Sequence, residues 1–374
     1  MEHDDAYYMK LAVREALKGR GRTSPNPCVG AVIVADGKIV GRGYHRRAGS
    51  AHAEVNALAD AGRRTAGATM YVTLEPCNHT GRTPPCTKAV LAAGIRRVVI
   101  GMPDPNPAVA GGGARYLEAH GVEVVTGVLA ERCTAINRPF IKHVTTGLPW
   151  VILKAGMSLD GRISWQKGQG GRITGPASGR VVHRLRDRVD AILVGINTAL
   201  TDDPSLTTRL ENGKGQDPVR VILDSQLRLP PACRLLTQES SAETWIFCSP
   251  EADRQARSWL EQAGAVVYPV KPASDGRLDL TAVFRQLGNA GMLSVLVEGG
   301  SMVHGSLLAH NLADEVYLFV APCFIGDAGT PLIAGYSAGG KAGTGVSLHE
   351  VQTRLLDQDV LIQGLVQKKH PIGQ

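Results

Sequence analysis

His52, Cys77 and Cys86 supply one imidazole and two potential thiolates, the soft nitrogen and sulfur donors that suit zinc. They stand in H-A-E-V-N-A and, after an expected strand, in L-E-P-C-N-H-T-G-R-T-P-P-C. Three protein ligands leave a fourth tetrahedral position for a water, whose pKa zinc lowers enough to make hydroxide available near neutral pH. Glu54, two residues beyond the histidine, is placed to shuttle protons without ligating the metal. The order H-x-E…P-C…C is the signature of hydrolytic deamination of an aminated ring. Taken singly, either cysteine is more often a small core residue, and His52 a satisfied core histidine. A closed structural zinc site with His79 as fourth ligand is the sharper alternative. The co-occurrence of H-A-E with a downstream P-C favours the catalytic reading. Most deaminases of this signature carry P-C-x-x-C, whereas eight residues part Cys77 from Cys86 here. That insert is polar and rich in turn formers. Its Asn78, His79, Thr80 and Arg82 are candidates to read a polar or phosphorylated substrate.

The run P-C-N-H-T-G-R-T-P-P-C resembles the zinc motif of the bifunctional deaminase/reductases of riboflavin biosynthesis. In that family a pyrimidine deaminase comes first and a pyridine-nucleotide-dependent reductase follows, so the second half of the chain must match as well. There, W-V-I-L-K-A-G-M-S-L-D-G-R-I resembles the opening of reductases with a dihydrofolate-reductase-like fold. Without that context Lys154 reads as an exposed lysine at a strand end. The pattern T-x-x-x-D-D-P-x-L-x-x-R, from Thr198 onward, is similar to the family's reductase half; alone, Asp202 and Asp203 read as turn acids. In L-S-V-L-V-E-G-G-S-M-V-H-G-S-L-L a buried strand ends in Glu298, Gly299-Gly300 turns sharply, and a helix begins. Amides at such a helix start form an anion site suited to a cofactor phosphate. The run is not G-x-G-x-x-G, so no Rossmann fingerprint is present.

The resemblance implies two consecutive reactions. The first hydrolyses the 2-amino group of 2,5-diamino-6-(5-phosphoribosylamino)pyrimidin-4(3H)-one, with zinc on His52, Cys77 and Cys86 and Glu54 as proton shuttle. Asn26, in P-N-P-x-V-G, would hold the ring, with Asn78 and His79 nearby. The second reduces the ribosyl group of 5-amino-6-(5-phosphoribosylamino)uracil to ribityl with NADPH. Lys154 is the cation for the developing sugar oxygen, and Glu298 positions ribosyl hydroxyls. Gly170, Arg186, Leu206 and Arg209 complete the substrate set, with Arg186 and Arg209 on phosphate or nearby polar groups. Gly156, Arg172, Thr198, Asp202 and Ser225 would hold NADPH, together with the turn and helix of Gly300, Ser301, Met302, Val303, His304, Gly305 and Ser306. Arg172 departs from the pattern, since the family often carries tryptophan before that I-T pair.

The elements that must position these residues follow from length and periodicity. A chain of 374 residues with 43% hydrophobic content is long enough for two cores. Apolar spacing predicts a helix over 5–18, then a buried strand, an Asp36-Gly37 hairpin, and a helix over 52–60. Strands are expected over 69–74, 96–101 and at V-E-V-V, with helices opening at Cys86, ending near Gly121 and spanning 129–145. A helix start lowers a thiol's pKa, which favours Cys86 as a thiolate. This alternation predicts an α/β chain with a three-layer cytidine-deaminase-like zinc domain over 1–147. A dihydrofolate-reductase-like α/β domain follows over 148–374, with strands over 191–195, 219–224, 243–248, at D-E-V-Y-L-F-V-A-P-C-F-I-G and at V-L-I-Q-G-L-V, and a helix over 251–263.

Seven cysteines lack the dense spacing of a disulfide framework, M-E-H-D-D is not a signal segment, and no apolar run approaches ~20 residues. The expectation is a cytoplasmic chain without membrane contact, working as a homo-oligomer on small phosphoribosylaminopyrimidines. The net charge of +7 invites a nucleic-acid reading, but the basic residues are scattered and lack an aromatic platform, so no nucleic-acid partner is expected. Two rivals stand beside this: a nucleic-acid-editing deaminase with an RNA-binding tail, and a deaminase whose second domain binds nucleotide only as a regulator.

Overall fold

Each half of the chain closes a sheet of its own. The computed structural model describes residues 3–79, 84–106, 112–211, 213, 215–339 and 345–368. They divide into two compact units, Met1–Leu148 and Pro149–Gln374. Among the described residues no helix is long and apolar enough to cross a membrane.

In the first unit, helix α1 (Asp5–Ala16) is capped by Asp4, whose carboxylate accepts the Tyr7 amide at 2.8 Å, and it buries Tyr8, Met9 and Ala12. Strands β1 (Gly30–Ala35) and β2 (Lys38–Tyr44) form the expected hairpin. Asp36 and Gly37 both take positive φ, 49° and 70°, as a two-residue turn of this hand requires. Helix α2 (Ala53–Ala61), β3 (Thr69–Leu74), α3 (Cys86–Ala92), β4 (Arg97–Met102), α4 (Gly113–Ala119), β5 (Glu123–Thr126) and α5 (Ala130–Thr146) follow. The sheet runs β2-β1-β3-β4-β5, antiparallel in its first two pairings and parallel in the last two.

Register assigns the layers. Ala31 and Ile33 face the same way as their partners Gly43 and Gly41, and those glycines let α2 lie directly on β2. A Cβ at Gly43 would stand 2.3 Å from the Ala57 nitrogen. Gly30, on the opposite face, is pressed against α1, and Gly101 on that same face meets Cys133 of α5. Sheet and two helix layers therefore hold β3, α2 and α3 in fixed relation, which is what the zinc motif needs.

The second unit contains β6 (Trp150–Met157), α6 (Pro176–Arg186), β7 (Ala191–Gly195), α7 (Ile196–Asp202), β8 (Val219–Leu223), α8 (Arg234–Thr237), β9 (Thr244–Cys248), α9 (Arg254–Gln262) and β10 (Ala265–Pro269). It closes with α10 (Leu280–Asn289), β11 (Ser294–Val297), α11 (Ser301–Ala309), β12 (Glu315–Val320), β13 (Leu348–Leu356) and β14 (Asp359–Val366). The strand order is β10-β9-β8-β7-β11-β6-β12-β14-β13, parallel as far as β12 and ending in an antiparallel hairpin. Ala191, Ile192, Leu193 and Val194 of β7 are fully buried, as expected of a parallel strand covered on both faces.

One placement corrects the sequence reading. Lys154 is not at a strand end: β6 continues to Met157, and Lys154 pairs with Tyr317 of β12. On its other side β11 stops at Val297, level with Leu153, so the lysine is uncovered there by the shorter neighbour. The ends of β6, β7 and β11 thus form a step at the carboxyl edge of the sheet, where open α/β sheets bind ligands.

Candidate active sites

His52 is the N-cap residue of α2, yet its side chain makes no capping bond. The ring turns instead toward Cys77, just beyond β3, and Cys86, the first residue of α3. Its Nδ1 lies 3.2 Å from Cys86 Sγ and 3.6 Å from Cys77 Sγ, and all three ligand atoms fall within 4.8 Å of one another. Zinc bonds of ~2.1 Å to nitrogen and ~2.3 Å to sulfur, set tetrahedrally, require a nitrogen–sulfur edge of about 3.6 Å. The donor set fits zinc in number, type and spacing. His79 stands outside this cluster, so the closed four-ligand site does not form among the described residues.

The two thiols divide their charge unequally. A hydrogen bond from the Cys86 thiol, opposed by burial and aided by His52, holds Cys77 down at about 4, while the same contact and burial push Cys86 up. The Cys86 amide also donates to Cys77 Sγ at 3.4 Å. Without a metal the two sulfurs thus share a proton; a metal that binds both releases it. Glu54, in the first turn of α2, is 3% exposed, and burial pushes its carboxyl above the ordinary carboxylate range.

Asn26 is fixed by a residue the sequence reading missed. Its Nδ2 lies 3.0 Å from Nε2 of His45, whose Nδ1 lies 3.2 Å from the Ala51 carbonyl. The carbonyl can only accept, so Nδ1 carries the proton and Nε2 accepts from Asn26. Burial lowers the His45 pKa and keeps that ring neutral. It also stands edge-on to His52, centroids 5.4 Å apart. A histidine after G-R-G-Y carries no spacing signal that marks it in advance. Asn78 accepts the Thr87 hydroxyl at 2.8 Å, and with His79 it lines a cavity of about 100 Å³ beside Cys77. Glu75 and Asp104 share that cavity. Burial raises the Glu75 pKa, but amide donors, among them Gly112 and Ala114 at 3.0 Å each, outweigh it and keep the group anionic. Thr80 and Arg82 lie outside the described residues.

In the second unit a cavity of about 1290 Å³ gathers most of the expected residues. Lys154, Gly156, Gly170, Arg172, Arg186, Arg209 and Glu298 line it. So do Thr198, Asp202 and Ser225, and Gly300, Ser301, Met302, Val303, His304 and Ser306 around the start of α11. Leu206 and Gly305 are not among its walls. Leu206 buries its side chain in the core with Ile192 and Ile222, and Gly305 is packed on the Ala334 carbonyl.

Glu298 is the centre of this cavity's electrostatics. Arg186 grips it with two hydrogen bonds of 2.7 and 2.9 Å, and Lys154 Nζ lies 3.4 Å away. Burial alone would raise the Glu298 pKa; the charges of Arg186 and Lys154 overcome it and hold the carboxyl at about 2. Arg186 also donates to the Thr207 carbonyl at 2.9 Å. Its guanidinium is thus engaged by protein groups while it lines the cavity. Gly300, with φ of 85°, caps α11, and Gly299 permits close approach: a Cβ there would stand 3.0 Å from the Thr198 side chain.

The RibD C-terminal domain family matches residues 149–362, more than half of the chain. The cytidine and deoxycytidylate deaminase zinc-binding region matches residues 2–102. The chain belongs to the RibD family. It is 44% identical to the riboflavin biosynthesis protein RibD of Escherichia coli K12 over 333 residues, 86% of this chain and 89% of that one. It is 43% identical to RibD of Bacillus amyloliquefaciens over 332 residues, 88% of each. Among solved structures, Acinetobacter baumannii RibD superposes with a TM-score of 0.87 at 34% identity, covering 97% of this chain and 99% of that one. The Thermotoga maritima deaminase/reductase gives 0.85 at 36% identity, with the same coverage. As a RibD-family member the chain is a bifunctional deaminase and reductase of riboflavin biosynthesis, using zinc in the first half and NADPH in the second. RibD architecture also accounts for the fold class expected from the motifs.

The described RibD fold adds a second histidine that sequence reasoning passed over. His183 of α6 lines the large cavity, and its Nδ1 accepts the Arg209 amide at 3.2 Å. Its spacing from Gly179 and Arg186 is the one signal that could have found it, because i, i+4 and i+7 share a helix face.

Proposed function

We propose that residues 1–147 hydrolyse the 2-amino group of 2,5-diamino-6-(5-phosphoribosylamino)pyrimidin-4(3H)-one, and that residues 148–374 reduce the ribosyl group of the resulting uracil to ribityl. The observation that carries this is that each unit brings its own dispersed motif to one place: His52, Cys77, Cys86 and Glu54 in one, Lys154, Arg186 and Glu298 in the other. Zinc held by His52, Cys77 and Cys86 supplies the Lewis acidity that makes hydroxide available from water near neutral pH. Glu54 takes a proton as base, passes it to the ring nitrogen beside the aminated carbon, and then serves the departing ammonia. Its buried setting suits an acid that must hold a proton near neutral pH. Asn26, with Nδ2 engaged by His45, offers Oδ1 to a ring N–H. Asn78, with Oδ1 engaged by Thr87, offers Nδ2 to a ring oxygen.

In the reductase half, NADPH supplies the hydride when bound. Lys154 holds a proton for the sugar oxygen released as C1′ is reduced, and Glu298 orients that ammonium while staying anionic itself. The amides opening α11 suit the cofactor's phosphates. The same reading takes small molecules as substrates and a homo-oligomer in the cytoplasm as the working form. It is tested by NADPH oxidation with supplied deaminated intermediate. Lys154→Ala should lower kcat by ~10²-fold, and an unchanged rate would place the second active site elsewhere.

A further inference from the structure

Glu75 stands between β3 and Cys77, and its backbone and side chain hold different things. The Glu75 amide donates to the Met102 carbonyl of β4 at 3.0 Å, which fixes the chain just before the cysteine. Cys77 has supports of its own. Its carbonyl accepts the Thr87 amide at 3.3 Å, and its Sγ accepts the Cys86 amide at 3.4 Å. The Glu75 carboxylate reaches the other way. Its Oε2 accepts the Asp104 amide, beyond β4, at 3.3 Å. Its Oε1 accepts the amides of Gly112 and Ala114, where α4 opens, at 3.0 Å each. Among the described residues these three amides find no other acceptor. The Asp104 carboxylate is itself turned onto the Asn106 amide at 2.9 Å. A Cβ at Gly113 would run into the Pro76 carbonyl, so the start of α4 lies directly on the cysteine loop. Asp104, Gly112 and Gly113 wall the cavity of about 100 Å³ across from Cys77, Asn78 and His79.

One carboxylate thus ties two separate stretches of backbone to the cysteine loop through charge-assisted hydrogen bonds, while the bonds that place Cys77 do not pass through it. We infer that Glu75 is a positioning residue of the deaminase, whose carboxylate holds the Asp104 and α4 wall of the cavity in place for substrate and leaves the metal to other supports. This rests on the reading that the first unit deaminates the diaminopyrimidine. The acceptor count makes the damage graded. Glutamine keeps one oxygen for Gly112 and Ala114 but turns an amino group toward the Asp104 amide, donor against donor. Alanine loses both arms. A role confined to stability would lower Tm and leave substrate affinity alone; a positioning role moves KM while zinc stays bound.

The experiment measures ammonia release against diaminopyrimidine concentration for the full chain as wild type, Glu75→Gln and Glu75→Ala. Zinc content, and NADPH oxidation with supplied deaminated intermediate, are read on the same preparations. The inference expects KM to rise about tenfold in Glu75→Gln and further in Glu75→Ala. In Glu75→Gln kcat should stay near wild type, zinc should remain at about one ion per chain, and NADPH oxidation should be unchanged. Amide hydrogen exchange without substrate gives the second readout. Glu75→Gln should speed exchange at Asp104 and leave Ala114 protected, whereas Glu75→Ala should speed both. An unchanged KM in both variants overturns the inference. So does loss of zinc or a fall confined to kcat in Glu75→Gln, either of which puts Glu75 on the metal side. Equal protection of Asp104 in wild type and Glu75→Gln overturns it as well. Because exchange is read without turnover, failure of the clamp is separate from failure of the deaminase reading, which ammonia release by wild type decides.

Discussion

Glu54 and Glu298 are both buried glutamates, yet their surroundings push them in opposite directions. Glu54 is buried beside the His52–Cys77–Cys86 cluster, and burial dominates, so its pKa rises. Glu298 has Arg186 and Lys154 within hydrogen-bond reach, and their charges reverse the effect of burial, down to about 2. The lesson is about the jobs each can do. A carboxyl with a raised pKa can pick up and release a proton during turnover, and a divalent ion beside it would bring it back toward the ordinary range. A carboxylate locked between two cations cannot; it is a fixed anion that orients them. On the proposed reading, one chain runs proton transfer through a glutamate in one half and through a lysine in the other.

The largest effect that sharpens this contrast is loss of the metal. Cys77→Ala should strip zinc from about one ion per chain to background and abolish deamination, read by elemental analysis and ammonia release; full metal content would mean that another ligand set holds it. Next is Glu54→Gln, which removes the proton carrier but keeps the side chain's shape. Deamination should fall by ~10²–10⁴-fold with zinc retained, and a near-normal rate would break the assignment of Glu54 as shuttle.

The counterpart on the other side is Glu298→Gln. Removing one partner of a buried ion pair leaves the cations uncompensated, at a cost of about 3–5 kcal/mol, which differential scanning calorimetry should show as a lowered Tm for the second unit. The pH dependence has a definite sign. The folded-state pKa is depressed, so this carboxylate's stabilisation is present above the unfolded value near 4.5 and is lost as pH falls toward about 2. Acid unfolding of Glu298→Gln should lack that component; an identical acid limb would show that the group is not held as an anion. The smallest effect is steric. Gly43→Ala puts a methyl where α2 lies on β2 and should cost about 1–3 kcal/mol, with weaker zinc retention because α2 carries His52 and Glu54. An unshifted Tm would mean that the helix can yield.

Much of the first site was legible because its residues are close in sequence and their identities define the chemistry. H-A-E and P-C…C name the candidate ligands, and the hairpin dipeptide follows from local rules. What sequence could not show was which residues partner these groups across elements. His45 and Glu75 become meaningful only when β2 and the loop before α4 meet the motif, through bonds of 3.0 Å to Asn26 and to backbone amides. In the second unit Lys154 was placed at a strand end because the apolar run stops there, whereas β12 continues the pairing to Met157. Nothing in the sequence shows that Glu298, 112 residues away, engages Arg186. Strand β13 was not anticipated at all: it is an exposed edge with a bulge between His349 and Gln352 and no apolar alternation to reveal it.

The most direct test of the account is mass identification of products from the diaminopyrimidine substrate, supplied to the wild-type chain with and without NADPH, beside Glu54→Gln and Glu298→Gln. The account predicts that wild type stops at the deaminated uracil without NADPH and proceeds to the ribityl product with it. Glu54→Gln should leave the starting diaminopyrimidine, and Glu298→Gln should accumulate the deaminated, unreduced compound. Ribityl product from Glu298→Gln at the wild-type rate, or deaminated product from Glu54→Gln at the wild-type rate, would contradict the division of labour between the two glutamates.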